Sequence, residues 1–315
     1  MNVIALGAHV LDILVHPVAT IPDGQQTALV EDIRITAAGT AAGTALTLAK
    51  LGANVRTAGA IGADASGDIL LGLLARAGID TKLVVRKGDQ PTSSSVLPIR
   101  PNGERPSLHL LGANPFYTLD DVDWTAIAAA DHLHLGGPEL IGAANAARIL
   151  RHAKDNGVST SVDLIAPGAL GSLDAIAEVL PHTDYFLPND EQVLGFTGTT
   201  DLVAGCELLK DAGACILAVT RGADGTLLVG PDNYQDIPAF AVDVVDTTGC
   251  GDAFSAGFIR AIALGRNLRA AATLGNAVAA MVARGLGSDH GDFDLAAVDA
   301  FAAETRTIDP NKPGR

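Results

Sequence analysis

The sequence has 315 residues, of which 21 are basic and 36 are acidic, so its formal net charge is −15. Because 48% of the residues are apolar, the chain can bury a sizeable core, which argues against a disordered protein. The acidic excess argues against nucleic-acid binding through a broad basic face.

Membrane and secretory signals are missing from the sequence. No segment reaches the roughly 18 uninterrupted apolar residues of a membrane span, and the amino terminus lacks the charged start of a secretory leader. The three cysteines are widely spaced and odd in number, which is not typical of a disulfide framework. We therefore expect a cytoplasmic protein that binds neither nucleic acid nor membrane.

Short runs of Val, Ile and Leu alternate with longer segments rich in Ala and Leu. The predicted strands are residues 3–6, 55–60, 132–135, 160–163, 185–187, 216–220 and 226–229. The predicted helices are residues 44–51, 69–77, 144–154, 201–212, 253–264 and 268–283. This alternation predicts an α/β fold with a central, mostly parallel sheet that is flanked by helices.

Two regions break this rhythm and predict antiparallel strands. Residues 27–36 alternate apolar and polar side chains, and residues 93–100 and 105–111 flank an Asn-Gly pair, which is a strong hairpin signal. They predict a small β-sheet near residues 12–37 and 92–112, either a lid over a sugar-sized cleft or edge strands with no such role. We expect one domain over residues 1–304 and a disordered tail over residues 305–315.

The most informative segment is residues 246–258, DTTGCGDAFSAGF. Gly249 and Gly251 flank the small Cys250, and Asp252 then opens an Ala-rich helix. Glycines allow the backbone N–H groups of residues 249–251 to approach an anion, and the helix N-terminus adds partial positive charge. The carboxylate of Asp252 is placed to take a proton from an attacking hydroxyl. The segment predicts a phosphate site built without lysine, and the alternative is an ordinary helix cap.

This segment resembles the second signature of the ribokinase-like (PfkB) carbohydrate kinases, with Cys250 where alanine is usual. Six further segments resemble parts of that family in the same order: residues 7–12, 38–52, 60–68, 187–192, 219–225 and 275–277. The resemblance covers residues 2–295. It implies the ribokinase-like fold, in which a central, mostly parallel sheet flanked by helices carries a small β-sheet lid.

The resemblance also implies roles for individual residues. The catalytic group comprises Asp252 as general base and the N–H groups of Gly249, Cys250 and Gly251 as anion hole. The substrate-binding group comprises Asp12, Gly39, Thr40, Gly43 and Asp252. The ATP-binding group comprises Asn189, Thr220, Arg221, Gly222, Gly225 and Asn276.

Two kinds of cation are implied by the same resemblance. Magnesium arrives with ATP and is held mainly through water, with Asn189 and Glu191 nearby. Asp246 and residues 285–288 resemble the place where some family members bind a monovalent cation such as K⁺. In the family, a glutamate follows Asn189 by three positions, whereas Gln192 stands there in this sequence, so either Glu191 takes its role or the role is weakened.

Several substrate-binding positions depart from the family pattern. Gly43 stands where asparagine is usual, and Val10 and Gly136 replace polar residues that contact the sugar in ribokinases. A buried sugar hydroxyl without a partner costs about 1–3 kcal/mol. Ribose bound in the ribokinase manner is therefore not expected.

The sequence thus predicts an ATP-dependent kinase that phosphorylates a primary hydroxyl of a small sugar or sugar-like substrate. One alternative is a nucleoside kinase, in which apolar groups such as Val10, Leu11 and Phe116 accept a base. Another is a sugar or nucleotide sensor without catalysis. A phosphosugar substrate would need a cationic site, for which Arg100 and Arg105 are the candidates. The exposed edges of the lid allow a homodimer through this sheet.

Overall fold

The protein folds around two β-sheets of unequal size, described in a computed structural model over residues 1–101, 104–165, 172–231 and 233–308. The large sheet has nine strands in the order β13-β12-β11-β10-β9-β8-β1-β4-β5, and the small sheet has four in the order β3-β2-β6-β7. Neighbouring strands of the large sheet are parallel except where β12 pairs with β11 and β13. The predicted α/β fold is confirmed.

The elements alternate along the chain as the apolar runs predict. The strands are β1 Asn2–Gly7, β2 Val10–His16, β3 Asp32–Ala38, β4 Asn54–Gly62, β5 Asp80–Lys87, β6 Ser94–Pro98, β7 Leu108–Leu110, β8 His132–Gly136, β9 Ser159–Asp163, β10 Tyr185–Phe186, β11 Ile216–Thr220, β12 Thr226–Val229 and β13 Tyr234–Ile237. The helices are α1 Thr40–Lys50, α2 Ala65–Arg76, α3 Trp124–Ala128, α4 Pro138–Ile141, α5 Ala143–Asp155, α6 Leu173–Ile176, α7 Asp190–Thr197, α8 Leu202–Asp211, α9 Cys250–Ala263, α10 Leu268–Val282 and α11 Leu295–Glu304.

Helices cover both faces of the large sheet and bury one apolar cluster on each. The first cluster holds residues of α1, α9 and α10, including Phe254 and Phe258 of α9, which lie four residues apart on one helix face. The second holds residues of α5, α7 and α8. Strands buried on both sides need apolar residues at nearly every position, which is why they are continuous apolar runs in the sequence.

The small sheet contains the predicted antiparallel strands, with shifted bounds. Strand β3 begins at Asp32 and pairs antiparallel with β2, and β6 pairs antiparallel with β7. The Asn-Gly turn predicted between β6 and β7, at residues 102–103, lies outside the described residues. Asp12 and Leu14 of β2 are buried on the inner face, whereas Ile35 of β3 and Leu108 of β7 are exposed. The small sheet therefore turns Asp12 towards the large sheet.

The predicted tail partly belongs to the fold. The N–H of Ala241 donates to the carbonyl oxygen of Arg306, and the N–H of Ile308 donates to that of Ala239, so residues 306–308 pair with the segment after β13. The prediction that everything from residue 305 onwards lies outside the fold is therefore wrong for this stretch, because two prolines further along do not prevent strand pairing before them. Residues 309–315 are outside the described part of the chain.

Within the described residues, no helix combines the length and apolarity that crossing a bilayer demands. The cytoplasmic location stays a prediction.

Candidate active site

The predicted site residues gather at the carboxyl ends of the parallel strands, where α1 and α9 begin. Gly39 precedes α1 with φ 93°, and a Cβ there would lie 2.6 Å from the carbonyl oxygen of Ala8, after β1. Thr40 packs on Gly136 at the end of β8, and its buried Oγ1 has no hydrogen-bond partner among the described residues. The start of α1 thus holds a buried hydroxyl without a hydrogen-bond partner among the described residues, next to Gly39.

Residues 246–252, called here the phosphate segment, form the turn before α9 and the first residues of that helix. Gly249 adopts φ 75°, which favours glycine, and the N–H groups of Gly249 and Gly251 have no acceptor within the described residues. The N–H of Cys250 donates to the carbonyl oxygen of Thr247 at 3.2 Å. The turn that starts the helix thus uses the N–H of Cys250, and the role of all three N–H groups in an anion hole stays a prediction.

Asp252 lies in the first turn of α9, with its carboxyl group against Gly43 of α1. A Cβ on Gly43 would lie 2.2 Å from Oδ2 of Asp252, so the missing side chain makes the space that this carboxyl group fills. Burial is the main cause that raises the pKa of Asp252 well above its usual range. The carboxylates of Asp163 and Asp12 raise this pKa further, whereas the guanidinium of Arg105 lowers it.

Asp163 is a site residue that the sequence analysis missed. It ends β9, its Oδ1 accepts the N–H of Leu164 at 2.8 Å, and its Oδ2 accepts the hydroxyl of Ser255 in α9 at 3.3 Å. Burial raises the pKa of Asp163 to about 7. A polar residue that ends a buried apolar strand was the available signal, because the carboxyl ends of parallel strands share one edge of the sheet.

Arg105 connects the small sheet to the phosphate segment. Its Nε donates to Oγ1 of Thr247 at 3.1 Å, and it lowers the pKa of Asp12, Cys250 and Asp252. Arg105 is therefore a cation beside Thr247 and close to the carboxyl groups of Asp12 and Asp252.

A cavity of about 250 Å³, the acceptor cavity, lies between β1, α1 and the small sheet. Val10, Leu111, Leu140 and Ile165 form apolar wall, and His109 and Glu139 are polar members. Of the three apolar residues predicted here, Val10 lines the cavity, but Leu11 packs into the first core cluster and Phe116 lies on the surface.

Asp12 is joined to this cavity through a polar chain. Ser95 hydrogen-bonds to Asp12, and the hydroxyl of Ser95 lies 3.0 Å from Nδ1 of His109. Burial raises the pKa of Asp12 to about 6, while Ser95 and Arg105 lower it and Asp246 raises it. Asp12 is thus a buried carboxyl group that Ser95 connects to His109 of the cavity wall, and its role in holding sugar hydroxyls stays a prediction.

A second cavity of about 320 Å³, the nucleotide cavity, lies between the N-terminal part of α9, helix α10 and the loop that joins β11 to β12. Four of the predicted ATP-binding residues, Thr220, Gly222, Gly225 and Asn276, line it together with Cys250 and Gly251. The amide of Asn276 accepts a hydrogen bond from Thr226 and donates to the carbonyl oxygens of Ile237 and Pro238, so it fixes the cavity wall.

Two predicted ATP-binding residues do not line this cavity. The guanidinium of Arg221 donates to the carboxylate of Asp236 at 2.7 Å, because β13 presents an acceptor next to it. Oδ1 of Asn189 accepts the N–H of Gln192 at 2.7 Å, and the N–H of Asn189 donates to Oε1 of Gln192 at 2.8 Å, which caps α7. The backbone of Asn189 pairs with Thr220, which keeps it beside the cavity wall.

The predicted metal-binding side chains are dispersed in the described part of the chain. Glu191 is exposed in the first turn of α7, Asn189 is engaged as a helix cap, and the buried carboxylate of Asp246 accepts hydrogen bonds from Thr248 and Gly287. The described part of the chain contains no cluster of three or more His, Cys, Asp or Glu side chains that could hold a metal. A magnesium ion that arrives with ATP fits this arrangement, because phosphates and water supply most of its ligands.

Comparisons with known proteins give the family. The model of the pfkB family carbohydrate kinases matches residues 6–292. The chain is 31% identical over 266 residues to the ATP-dependent ribose-1-phosphate kinase of Halopiger xanaduensis, covering 84% of this chain and 86% of that one. It is 27% identical over 240 residues to adenosine kinase of Schizosaccharomyces pombe, covering 70% of each.

A solved structure gives the fold independently. A protein of E. coli in complex with ATP and Mg²⁺ superposes with a TM-score of 0.83 at 21% identity, covering 96% of this chain and 99% of that one. The family match shows that the chain belongs to the pfkB family of ATP-dependent carbohydrate kinases, and the likeness to the solved structure shows that it has the ribokinase-like fold.

Proposed function

We propose that this kinase transfers the γ-phosphate of ATP to a primary hydroxyl of a small sugar or sugar-like substrate. The observation that carries the proposal is the position of Asp252. It follows Gly251, which lines the nucleotide cavity, and contacts α1, whose preceding Gly39 lines the acceptor cavity. A base in this position can reach an acceptor hydroxyl that faces the phosphate segment.

In the proposed reaction, the carboxylate of Asp252 takes the proton of the acceptor hydroxyl. The hydroxyl oxygen forms a bond to the γ-phosphorus, and the bond from this phosphorus to the oxygen of the leaving ADP breaks. The free N–H groups of Gly249 and Gly251, at the positive end of α9, stabilise the charge on the transferred group. Asp12 and Thr40 hold and orient the substrate hydroxyls.

Magnesium, when bound with ATP, neutralises charge on the phosphate oxygens. We propose that Glu191 reaches this ion through water from the exposed first turn of α7, in place of the glutamate that Gln192 replaces. The reciprocal cap made by Asn189 and Gln192 keeps that turn beside Thr220 of the nucleotide cavity. The side chain of Gln192 also donates to the carbonyl oxygen of Leu164, after β9, so it positions rather than binds the ion.

A nucleoside substrate is the second candidate, and the acceptor cavity favours it. Val10, Leu111, Leu140 and Ile165 offer an apolar wall to a flat base, with His109 and Glu139 as polar contacts. The likeness to an adenosine kinase supports this candidate, whereas the likeness to a ribose-1-phosphate kinase supports a phosphosugar that would pair with Arg105.

A substrate panel tests the proposal. The purified protein is given ATP and magnesium with free pentoses and hexoses, ribose 1-phosphate or nucleosides, and ADP formation is measured. We expect acceptor-dependent ADP formation with a free sugar or a nucleoside. Exclusive use of ribose 1-phosphate would replace this assignment with a phosphosugar, and no turnover with any acceptor would contradict it.

We further propose that the small sheet pairs two copies of this chain. Its outer face is apolar across all four strands, because Ile35, Ile13, Val96 and Leu108 are register partners in one row. Three of these side chains, those of β3, β6 and β7, are exposed. A contiguous apolar patch on one flat face is typical of an interface, and a two-fold axis lets the same face serve both copies.

Light scattering at increasing protein concentration tests this pairing. We expect the wild type to be a dimer and Ile35→Glu to be a monomer, because pairing would bury two like charges in an apolar contact. Val203→Glu, an exposed valine of α8, is the matched control and should stay dimeric. A wild type that remains monomeric at every concentration contradicts the proposal.

A further inference from the structure

The loop of residues 285–291 is tied to the phosphate segment. The N–H of Gly287 donates to Oδ2 of Asp246 at 2.9 Å. The next residue, Ser288, is buried and packs so closely on Gly249 that a Cβ there would lie 2.3 Å from the Cβ of Ser288. The hydroxyl of Ser288 donates to the carbonyl oxygen of Ala37 at 2.8 Å. The position of this loop therefore sets the position of Gly249 in the proposed anion hole.

The same loop receives a cation from within the chain. Lys50, the last residue of α1, is half-buried, and its Nζ donates to the carbonyl oxygens of Asp289, His290 and Gly291 at 2.6, 3.2 and 2.5 Å. Nζ also lies 4.8 Å from the ring centroid of Phe293. Three backbone carbonyls and an aromatic face around one ammonium are the kind of oxygen-rich surroundings that suit a monovalent cation.

The acidic residue expected to bind K⁺ is used differently. Oδ1 of Asp246 accepts the N–H of Thr248 at 2.9 Å and its hydroxyl at 2.7 Å, and Oδ2 accepts the N–H of Gly287. Both oxygens of this buried carboxylate thus have donors of the chain, and consecutive carbonyls further along the loop already face Lys50. The charge of Asp246 is thus already compensated by donors of the chain, and the ammonium of Lys50 already serves the carbonyls of residues 289–291, which argues against a K⁺ ion at this loop.

We propose that Lys50 supplies from within the chain the charge that a bound monovalent cation would supply to the loop, so that nucleotide binding is independent of K⁺. Its ammonium pulls residues 289–291 towards the end of α1, and the salt bridge from Arg34 to Asp289 at 2.9 Å supports the same position. The loop then holds Ser288 against Gly249 without an added ion. The inference rests on the proposed nucleotide cavity and concerns what keeps that cavity formed.

Calorimetric titration with ADP and magnesium tests the proposal, in KCl and in choline chloride at equal ionic strength. The wild type should bind ADP with the same affinity in both salts, within about twofold. Lys50→Met should bind about tenfold more weakly in choline chloride and recover in KCl, because the side chain keeps its length but loses its charge. Lys50→Arg keeps the charge, so its ADP affinity should differ less between choline chloride and KCl than that of Lys50→Met.

Each possible result decides between the interpretations. A wild type whose ADP affinity rises tenfold with K⁺ overturns the proposal, and this comparison needs no variant to fold. Undiminished binding by Lys50→Met in choline chloride overturns it too, as does a loss that KCl does not recover, which would make Lys50 a packing residue. The absence of ADP binding by the wild type in either salt would instead contradict the proposed nucleotide cavity. Thermal unfolding midpoints in both salts check that the variants are folded.

Discussion

Asp252→Asn should lose turnover by about 10²- to 10⁴-fold while it still binds ADP. The amide keeps the shape of the carboxyl group but cannot accept the proton of the attacking hydroxyl. Because the carboxyl group fills space left by Gly43 in the wild type, a side chain of the same size should leave the packing between α1 and α9 unchanged. The rate of ADP formation with the acceptor found in the panel, together with calorimetric ADP binding, measures the two effects separately.

The outcome also distinguishes the enzyme from a protein that only binds its ligands. Asp211→Asn, on the exposed end of α8, is the matched control and should keep the wild-type rate. Equal rates for Asp252→Asn and the control would remove Asp252 from the chemistry. Loss of ADP binding by Asp252→Asn would mean that this residue holds the nucleotide instead.

The dependence of turnover on pH should also report the ionisation of Asp252. A general base works when it is ionised, so the rate should fall on the acid side of the raised pKa of Asp252. Asp163→Asn removes a neighbouring negative charge that raises this pKa. The acid limb of the profile should therefore move to lower pH in Asp163→Asn and stay in place in Asp211→Asn.

The contribution of Asp163 to the free energy of unfolding should decrease as the pH rises. The pKa of Asp163 is raised to about 7 by folding, so its stabilising contribution is complete below the ordinary value of 3.8 and is lost as the pH rises through 7. Asp163→Asn should thus gain on the order of 1–3 kcal/mol over the wild type at alkaline pH, and less in acid. Urea unfolding at about pH 5 and pH 8 measures the difference.

How far the sequence predicts the site depends on how local each part is. The phosphate segment is contiguous, so its glycines and Asp252 could be placed from the sequence alone. The strands of the large sheet were predictable because burial on both faces demands apolar runs. Edge strands such as β5 and β13 carry charged residues, which hides them from the same test.

The parts that were missed or misplaced come from distant segments. Asp163, Leu140 and Ile165 reach the site because neighbouring parallel strands end together, which no local pattern reveals. Arg221 lies in a segment that resembles a nucleotide loop, yet its side chain turns to Asp236 because a strand that follows in sequence presents a carboxylate there. The direction of a side chain depends on its tertiary partners. A sequence motif therefore predicts the course of the backbone better than it predicts side-chain contacts.

At Gly43, a local sequence pattern and a contact between distant segments can be compared directly. The family resemblance presents it as a departure, since asparagine is usual at this position. In the structure, it is the departure that gives Asp252 its place, because any Cβ would lie 2.2 Å from Oδ2, 2.8 Å from Cγ and 3.1 Å from Cβ of that residue. The side chain of an asparagine is absent at this position, and room for the carboxyl group of Asp252 is gained.

Gly43→Ala should therefore lower turnover on the order of 10²-fold, the size of effect expected when a catalytic group moves by about 1 Å. The added methyl group must displace the carboxyl group of Asp252. The backbone at Gly43 is helical, and alanine favours a helix by about 1 kcal/mol over glycine, so the loss should not come from unfolding of α1. Turnover with saturating acceptor, ADP affinity and urea unfolding of the same preparation measure each part.

The matched control is Gly72→Ala in α2, where the glycine is exposed and an added Cβ meets no atom within 4 Å. It offers the same gain in helix propensity without a neighbour to displace, so its turnover should equal that of the wild type. Wild-type turnover in Gly43→Ala would show that Asp252 can act from another position, and the close fit between α1 and α9 would then have no catalytic meaning. A loss of turnover in Gly43→Ala but not in Gly72→Ala, with ADP binding intact, would show that the space left by the missing side chain of Gly43 orients Asp252.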